Sequence, residues 1–145
     1  MNTGTPTLKP DQLTERWFII DAKERILGRL ATQAAVLLRS KDQPTFSPHQ
    51  AGDTHVVVIN AAGVRVTGAK LEQKKYYRHG GRPGSLKERT LAEQLERDPT
   101  KPIETAIRKM LPDNKLRAVW MNRLHVYPSD EHPHQAQKPQ EVAHG

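Results

Sequence analysis

The chain has 145 residues, a formal net charge of +7 and no cysteine. This length suits a single domain, and the positive charge favours an anionic partner such as nucleic acid. The lack of cysteine excludes disulfides and thiolate metal sites and fits a reducing cytoplasm. No apolar run approaches the ~20 residues of a membrane span, and the first thirteen residues lack the apolar segment of a signal peptide.

The first forty residues predict a leader, a strand and a helix. Residues 1–15 are polar and are predicted to form an extended or disordered leader. The apolar run of residues 17–20 predicts a strand that is buried on both faces. Asp21 follows it, at the spacing from Glu24 that marks a helix capping box. The helix behind this box carries an apolar stripe formed by Leu27, Leu30, Ala31, Ala34 and Leu38.

A second apolar run at residues 56–59 predicts another fully buried strand. Because an amphipathic helix separates two such strands, the sequence predicts a βαβ unit with parallel strands, a right-handed crossover and helices on both sheet faces. The fold class is therefore α/β. Arg25 and Arg29 fall off the apolar stripe of the helix. Their positions fit a solvated helix face and an RNA contact equally well.

Residues 65–89, which we call the basic arm, carry the strongest functional signal. After a turn at residues 60–63, an alternating stretch at 64–67 leads into a loop that is interrupted by glycines. Only two acids, Glu72 and Glu88, stand against eight basic residues: Arg65, Lys70, Lys74, Lys75, Arg78, Arg82, Lys87 and Arg89. Such a density of positive charge predicts binding to a polyanion.

The uncharged residues of the basic arm distinguish it from an ordinary solvated loop. Three rings can stack on unpaired bases: Tyr76, Tyr77 and His79. Three glycines let the backbone approach phosphates closely: Gly80, Gly81 and Gly84. Pro83 limits the freedom of the chain and so reduces the entropy lost on binding. The sequence therefore predicts a nucleic-acid contact.

The second half of the chain predicts two helices, a strand and a tail. Thr90 and Glu93 form a second capping box, and Pro102 suits the first turn of the next helix. The buried stripe of that helix is predicted to be Ile103, Ala106, Ile107 and Met110, with a stop at residues 111–114. Residues 124–127 predict a short strand that ends the α/β domain of residues 16–127, and residues 128–145 predict an extended tail. A second basic group comprises Lys101, Arg108, Lys109, Lys115, Arg117 and Arg123.

Other kinds of site fit the sequence poorly. Residues 63–70 do not match the phosphate-binding P-loop motif. Ala69 separates the glycine from the lysine, and Leu71 stands where the motif has a serine or threonine hydroxyl. His132 and His134 share one side of an extended segment, but a polar or stacking role on RNA is favoured over zinc because no further ligands have metal spacing. An enzyme that binds a nucleotide at the carboxyl ends of the parallel strands is the chief alternative. A free RNA-binding regulator is another.

Several motifs together resemble one known family. They are residues 57–61, 66–70, 76–79 with Lys74, and 83–84, together with Asp21-Ala22, residues 27–31, 110–112, 124–127 and 132–137. In this combination the chain resembles the bacterial large-subunit ribosomal protein L-thirteen family from about residue 17 to residue 139. It departs from the family pattern at Ser85, where a glycine is usual, and at Arg117-Ala118, where Gly-Arg is usual.

The resemblance implies a three-layer α/β/α domain around a four-stranded, mostly parallel sheet. It also implies a structural constituent of cytoplasmic ribosomes that binds large-subunit ribosomal RNA beside neighbouring ribosomal proteins and supports early subunit assembly. No catalysis, cofactor, small-molecule substrate or membrane is expected. The predicted RNA-binding residues are Arg25, Arg29, Arg65, Lys70, Lys74, Lys75, Tyr76, Tyr77, Arg78, His79, Gly80, Arg82, Gly84, Lys87, Arg89, Arg108, Lys109, Lys115, Arg117, Arg123, His132 and His134.

Overall fold

Four parallel strands and a separate hairpin organise the chain. The computed structural model describes residue 4 and residues 7–143. Its strands are β1 (Arg16–Asp21), β2 (Thr54–Ile59), β3 (Lys75–Arg78), β4 (Lys87–Thr90), β5 (Leu124–Val126) and β6 (Gln140–Glu141). Its helices are α1 (Leu27–Leu38), α2 (Lys70–Gln73), α3 (Leu91–Arg97), α4 (Thr100–Met110) and α5 (Leu116–Asn122). The sheet has the order β5-β2-β1-β6, and β3 pairs with β4 alone.

The two strands predicted from the apolar runs lie at the centre of the sheet. β1 and β2 pair in parallel with Phe18 opposite Val56, and β5 and β6 add parallel strands at the two edges. Helix α1 joins β1 to β2 and buries the whole predicted stripe. The expectation of an α/β fold around a four-stranded parallel sheet is therefore confirmed.

Helix α1 begins later than the sequence predicts, because Asp21 does not cap it. Asp21 ends β1, and its Oδ1 accepts hydrogen bonds from the backbone N of Lys23 at 2.8 Å and from Nδ2 of Asn60 at 3.0 Å. Glu24 has a φ of 61°, outside the helical range. The predicted capping box is wrong, since the carboxylate holds the turns at the carboxyl end of the sheet instead.

The alternating stretch at residues 64–67 is not a strand. Its only pairing in the part of the chain that the structure describes is one parallel bridge between Ile26 and Arg65. The backbone N of Arg65 donates to the carbonyl of Arg25 at 2.8 Å, and the backbone N of Leu27 donates to the carbonyl of Arg65 at 2.9 Å. These bonds dock the start of the basic arm against the entry to α1.

The second half contains one confirmed helix start and two errors of prediction. The capping box of α3 is present: the Thr90 side chain accepts from the backbone N of Glu93, and the Glu93 side chain accepts from the backbone N of Thr90. Met110 was expected in the core but is 50% exposed at the last turn of α4. Helix α5 was not predicted, although its Trp120 is only 1% exposed.

The helices and the sheet share one apolar core. The side chains of Ile20, Val56 and Val58 belong to the same buried cluster as those of α1 and α4. Because side chains alternate along a strand, Trp17 and His55 lie on the opposite sheet face. At this end of the sheet that face is covered by stacked rings, which we describe below, rather than by a helix.

Both predicted terminal segments are in part attached to the domain. Within the leader, residues 10–12 form a 3₁₀ turn and the amide of Gln50 donates to the carbonyl of Leu8; residues 1–3, 5 and 6 lie outside the described residues. In the tail, β6 pairs with β1, and residues 144–145 lie outside the described residues. In the described residues no helix is long and apolar enough to cross a membrane.

Candidate nucleic-acid interface

The centre of the basic arm is a β-hairpin and not the loop that the sequence predicts. Strands β3 and β4 pair antiparallel with Tyr76 opposite Arg89 and Arg78 opposite Lys87. Since paired residues share a face and side chains alternate, these four side chains project from one face of the hairpin. The other face carries an ion pair of 2.8 Å between Lys75 and Glu88. The cations are thereby separated from the nearest carboxylate.

The hairpin tip is organised by its own hydrogen bonds. The hydroxyl of Ser85 donates to the carbonyl of Arg82 at 2.6 Å and accepts from the backbone N of Gly80 at 3.1 Å. Gly81 and Gly84 have φ values of 80° and 74°, which only glycine adopts readily. Gly80 does not need a positive φ; a Cβ there would stand 3.3 Å from the Ser85 hydroxyl. Ser85, a departure from the family pattern, thus closes the tip.

A hollow of about 520 Å³ lies on the Tyr76 face of the hairpin, and we call it the cationic hollow. It is lined by Tyr76, Arg78, Gly80, Ser85, Lys87, Arg89, Gln94 and Arg97. Four of these residues are cations and none is a carboxylate. In the described residues none of the four cations forms an ion pair. The arrangement suits phosphate groups, which accept charge-assisted hydrogen bonds from Arg and Lys.

The two adjacent tyrosines have different environments. Tyr77 is 63% exposed, so its ring is free to stack on a base. Tyr76 is partly buried, and its hydroxyl is enclosed without a hydrogen-bond partner among the described residues. Burial raises the pKa of the Tyr76 hydroxyl, and the ammonium of Lys74 lies 5.5 Å from the centre of its ring. Tyr76 therefore forms part of the wall of the cationic hollow.

Substitution of a tip glycine tests the importance of the hairpin geometry. We expect Gly84→Val to weaken binding of a large-subunit rRNA fragment at least tenfold, because a β-branched residue is strained at a φ of 74° and displaces the tip. The melting temperature should stay within a few degrees, since the tip is exposed. Gly4→Val is the control, because Gly4 is exposed outside the hairpin and no described residue lies within 4 Å of a Cβ placed there. Binding of Gly84→Val at wild-type strength would show that the tip geometry is unimportant.

The second basic group is divided by the fold. Arg117 pairs with Asp113 at 2.6 Å, Lys101 pairs with Glu104 at 3.2 Å, and Arg123 pairs with Asp53 at 3.5 Å. The cations of this group without an ion pair in the described residues are Arg108, Lys109 and Lys115. Much of the second basic group is thus neutralised within the protein.

Lys109 joins the basic arm in space. It lines, with Lys70 and Lys74, a groove of about 500 Å³ between the start of α1, the segment 66–74 and the end of α4. Burial lowers the pKa of Lys74, and the nearby charges of Lys109 and Lys70 lower it further. The exposed Met110 also lines this groove, which explains its place outside the core.

Arg25 and Arg29 differ in the structure. Arg25 precedes α1, is 8% exposed, and donates to Oε1 of Gln33 and to the carbonyl of Val142, both at 2.7 Å. Of the two alternatives for Arg25, the solvated helix face is wrong, because Arg25 is buried and its guanidinium ties the C-terminal segment to the domain. Arg29 does lie on the exposed face of α1.

The crevice at the carboxyl ends of β1 and β2 does not resemble a nucleotide site. It has a volume of about 360 Å³ and is lined by Asp21, Arg25 and the chain's own Val142 and Ala143. The Asp21 carboxylate is already engaged by Lys23 and Asn60. The C-terminal segment thus forms part of the lining of the crevice, and Arg25, which also lines it, is occupied in holding that segment.

Five rings pack together on the second sheet face, and we call them the ring cluster: Trp17, His55, His125, Tyr127 and His134. Trp17 lies 4.2 Å from His55, and His125 lies 4.4 Å from His134, between ring centres. The Tyr127 hydroxyl is hydrogen-bonded to Nε2 of His134 at 2.8 Å. In addition, Nδ1 of His132 accepts a hydrogen bond from the backbone N of His134. The described residues contain no group of three or more His, Cys, Asp or Glu that could hold a metal.

The ring cluster should make stability depend on pH. Burial lowers the pKa of His55, His125 and His134. At His55 the charge of Arg123 lowers the pKa further, whereas the charges of Asp53 and Glu15 raise it. The unfolded chain therefore binds more protons near pH 6 than the folded chain does, and the free energy of unfolding should fall as the pH drops below about 6.5.

We expect His125→Phe, which keeps a ring but cannot titrate, to reduce the loss of melting temperature between about pH 7 and pH 5.5. The control is His49→Gln, because His49 is exposed and lies outside the ring cluster. An unchanged pH profile for His125→Phe would mean that the ring cluster does not control this loss.

Sequence reasoning missed two features of the interface. Arg97 was not predicted, although it enters the cationic hollow from α3. Its position in the last turn of a short helix that directly follows the arm was the available signal. Gly28 was noted only as part of a motif, yet it lines the groove beside Lys109.

The chain is similar to known proteins over nearly its whole length. The family described as Ribosomal protein L13 matches residues 15–133. A protein named large ribosomal subunit protein uL13 from Kocuria rhizophila is 51% identical over 139 residues, covering 96% of this chain and 93% of the relative. Proteins of the same name from Bifidobacterium longum subsp. infantis and Micrococcus luteus are 50% and 49% identical, cover 97% of this chain, and are themselves covered over 92% and 94%.

Proposed function

The chain belongs to the ribosomal protein L13 family, and from this premise we propose that it is a structural constituent of the large subunit of cytoplasmic ribosomes. In this role it binds large-subunit ribosomal RNA, lies beside neighbouring large-subunit proteins and supports early subunit assembly. Membership of a structural ribosomal family makes it a non-enzymatic component.

The cationic hollow is the observation that carries the proposal. Arg78, Lys87 and Arg89 project from one hairpin face, and Arg97 reaches the same space from α3, with no carboxylate in the lining. These side chains neutralise phosphates, which is the main source of affinity for nucleic acid. The exposed ring of Tyr77 stacks on an unpaired base nearby.

The remaining predicted residues take part in two ways. The direct contacts extend from the hairpin to further cations and tip residues: Arg29, Arg65, Lys70, Lys74, Lys75, His79, Gly80, Arg82, Gly84, Arg108, Lys109 and Lys115. Of these, Lys74 is partly buried, and Lys75 is exposed on the hairpin although it pairs with Glu88. The residues that already have partners within the protein support the interface by holding the termini and loops in place: Arg25, Arg117, Arg123, His132 and His134.

The test is sedimentation of a tagged chain from lysates of cells that express it. On a sucrose gradient the chain should travel with the large subunit. The variant with Arg78→Gln, Lys87→Gln and Arg89→Gln should shift toward the top of the gradient. A wild-type chain that stays with the free proteins would contradict the proposal and would favour a free RNA-binding regulator.

A further inference from the structure

We propose that the groove between α1 and α4 holds a single unpaired RNA base, with the flanking phosphates on the lysines that line it. This rests on the proposed function and adds to it a specific subsite. We call the space the base groove; it is the groove of about 500 Å³ lined by Lys70, Lys74, Lys109 and Met110.

Part of the lining of the base groove is apolar. Leu27 and Val66 line it, and so does Met110, which is half-exposed at the end of α4. A methionine side chain is polarisable and adapts to flat aromatic partners. A large apolar side chain exposed inside a concave space indicates a ligand with an apolar part.

The base groove is also cationic. Lys70, Lys74 and Lys109 line it, and no carboxylate is among the lining residues. The charges of Lys109 and Lys70 add to the effect of burial in lowering the pKa of Lys74. A bound anion would relieve this repulsion. The ligand therefore combines an apolar part with anionic groups.

Gly28 keeps the base groove open. It occupies the first turn of α1, where glycine is less favourable than alanine. Apart from its chain neighbours and the backbone of its own helix, no heavy atom of the described residues lies within 4 Å of a Cβ placed there, and its φ is not positive. Neither packing nor backbone geometry requires this glycine. Since Gly28 lines the groove, the absence of a side chain there leaves more of the groove open.

An unpaired nucleotide fits this combination better than a phosphate alone. The cationic hollow has arginines and a lysine around a polar wall and suits phosphates, whereas the base groove combines apolar side chains with lysines. A base in a duplex has both faces covered by stacking, so only an unpaired base can insert its face into such a groove. Charge complementarity with the flanking phosphates favours RNA over an uncharged apolar ligand.

The experiment follows the methyl group of Met110 by NMR in the full chain labelled at its methionine methyls. The chain has three methionines, and Met121 on α5 does not line the base groove but lies beside Arg108 and Lys109 in a separate groove, so comparing the two methyls shows which groove holds the base. We expect the single-stranded hexanucleotide rA6 to shift the Met110 methyl upfield through the ring current of a base. A hexamer with the same backbone but no bases should not produce this shift.

One substitution at Gly28 and a matched control complete the test. Gly28→Phe should fill the groove, abolish the shift and weaken rA6 binding at least tenfold. Val36→Phe adds a ring at an exposed position of the same helix that does not line the groove, and it should bind rA6 as wild type does. Met110→Glu, at an exposed position, is the second blocking variant and should weaken rA6 binding to a similar extent.

The inference is overturned if the abasic hexamer shifts Met110 as rA6 does, or if Gly28→Phe and Met110→Glu both bind rA6 as wild type does. It is also overturned if vesicles of anionic phospholipid, and not rA6, shift Met110. In each of these cases wild-type binding to large-subunit rRNA would still support the proposed function. Loss of the proposed function would appear separately, as a wild-type chain that does not bind this rRNA.

Discussion

Raising the salt concentration from about 50 to about 200 mM should weaken binding of a large-subunit rRNA fragment by roughly a thousandfold. The basic arm has eight cations, and in the described residues only Lys75 has a carboxylate partner. If about six phosphates are neutralised, the logarithm of the binding constant falls with the logarithm of salt at a slope of about −5. A filter-binding or anisotropy titration at several salt concentrations measures this slope.

Matched charge variants test whether the hairpin cations cause this dependence of binding on salt. Replacing Arg78, Lys87 and Arg89 by Gln should reduce the slope by about 3, because each lost phosphate contact removes about 0.9. Replacing Lys9, Lys23 and Lys138 by Gln changes the net charge equally but leaves the hairpin intact, so the slope should stay near that of wild type. Equal slopes for both triple variants would mean that net charge alone governs binding.

Trp120→Ala should lower the free energy of unfolding by about 3–5 kcal/mol. Trp120 is 1% exposed and belongs to the core cluster that α1, α4 and the sheet share. Its indole N–H donates to the carbonyl of Ala51 at 2.9 Å, and the guanidinium of Arg39 lies 5.7 Å from its ring. The substitution therefore leaves a cavity and removes the link between α5 and the loop before β2. Urea unfolding measures the loss.

The control separates the cavity from the hydrogen bond. Trp120→Phe keeps most of the ring volume but leaves the Ala51 carbonyl without its donor, so it should cost less, about 1–3 kcal/mol. A loss of under about 1 kcal/mol for Trp120→Ala would show that α5 contributes little to the core. That result would agree with the sequence pattern, which does not predict this helix.

Local patterns were sufficient for the βαβ unit and for the start of α3. The stripe of α1 repeats at helical spacing, and residues 17–20 and 56–59 are apolar at every position, so each element is recognised without knowledge of the rest of the chain. The predicted burial is correct for Val56, Val57 and Val58, whereas Trp17, Phe18 and Ile19 of β1 are only partly buried. The capping box predicted at Thr90 is present, whereas the one predicted at Asp21 is not. The reason is that the Asp21 carboxylate has competing partners, one of them Asn60, which is distant in sequence.

The hairpin and β6 could not be found in the same way. Both faces of β3 and β4 are polar or charged, so their alternation leaves no apolar period to detect. Strand β6 has two residues, and its place depends on Arg25 and on the bond from the backbone N of Val142 to the carbonyl of Ile19. Such pairing is a long-range event that the local sequence does not encode.

By itself the sequence determined the central βαβ unit, the cationic and aromatic character of the basic arm, and the resemblance to a ribosomal family. Only the tertiary structure decided which charges act together: it paired Arg117 and Arg123 with carboxylates, and it brought Arg97 to the hairpin and Lys109 to Lys74. The physical reason is that charge is a property of each residue, whereas the potential at a surface depends on distances between side chains that are far apart in sequence.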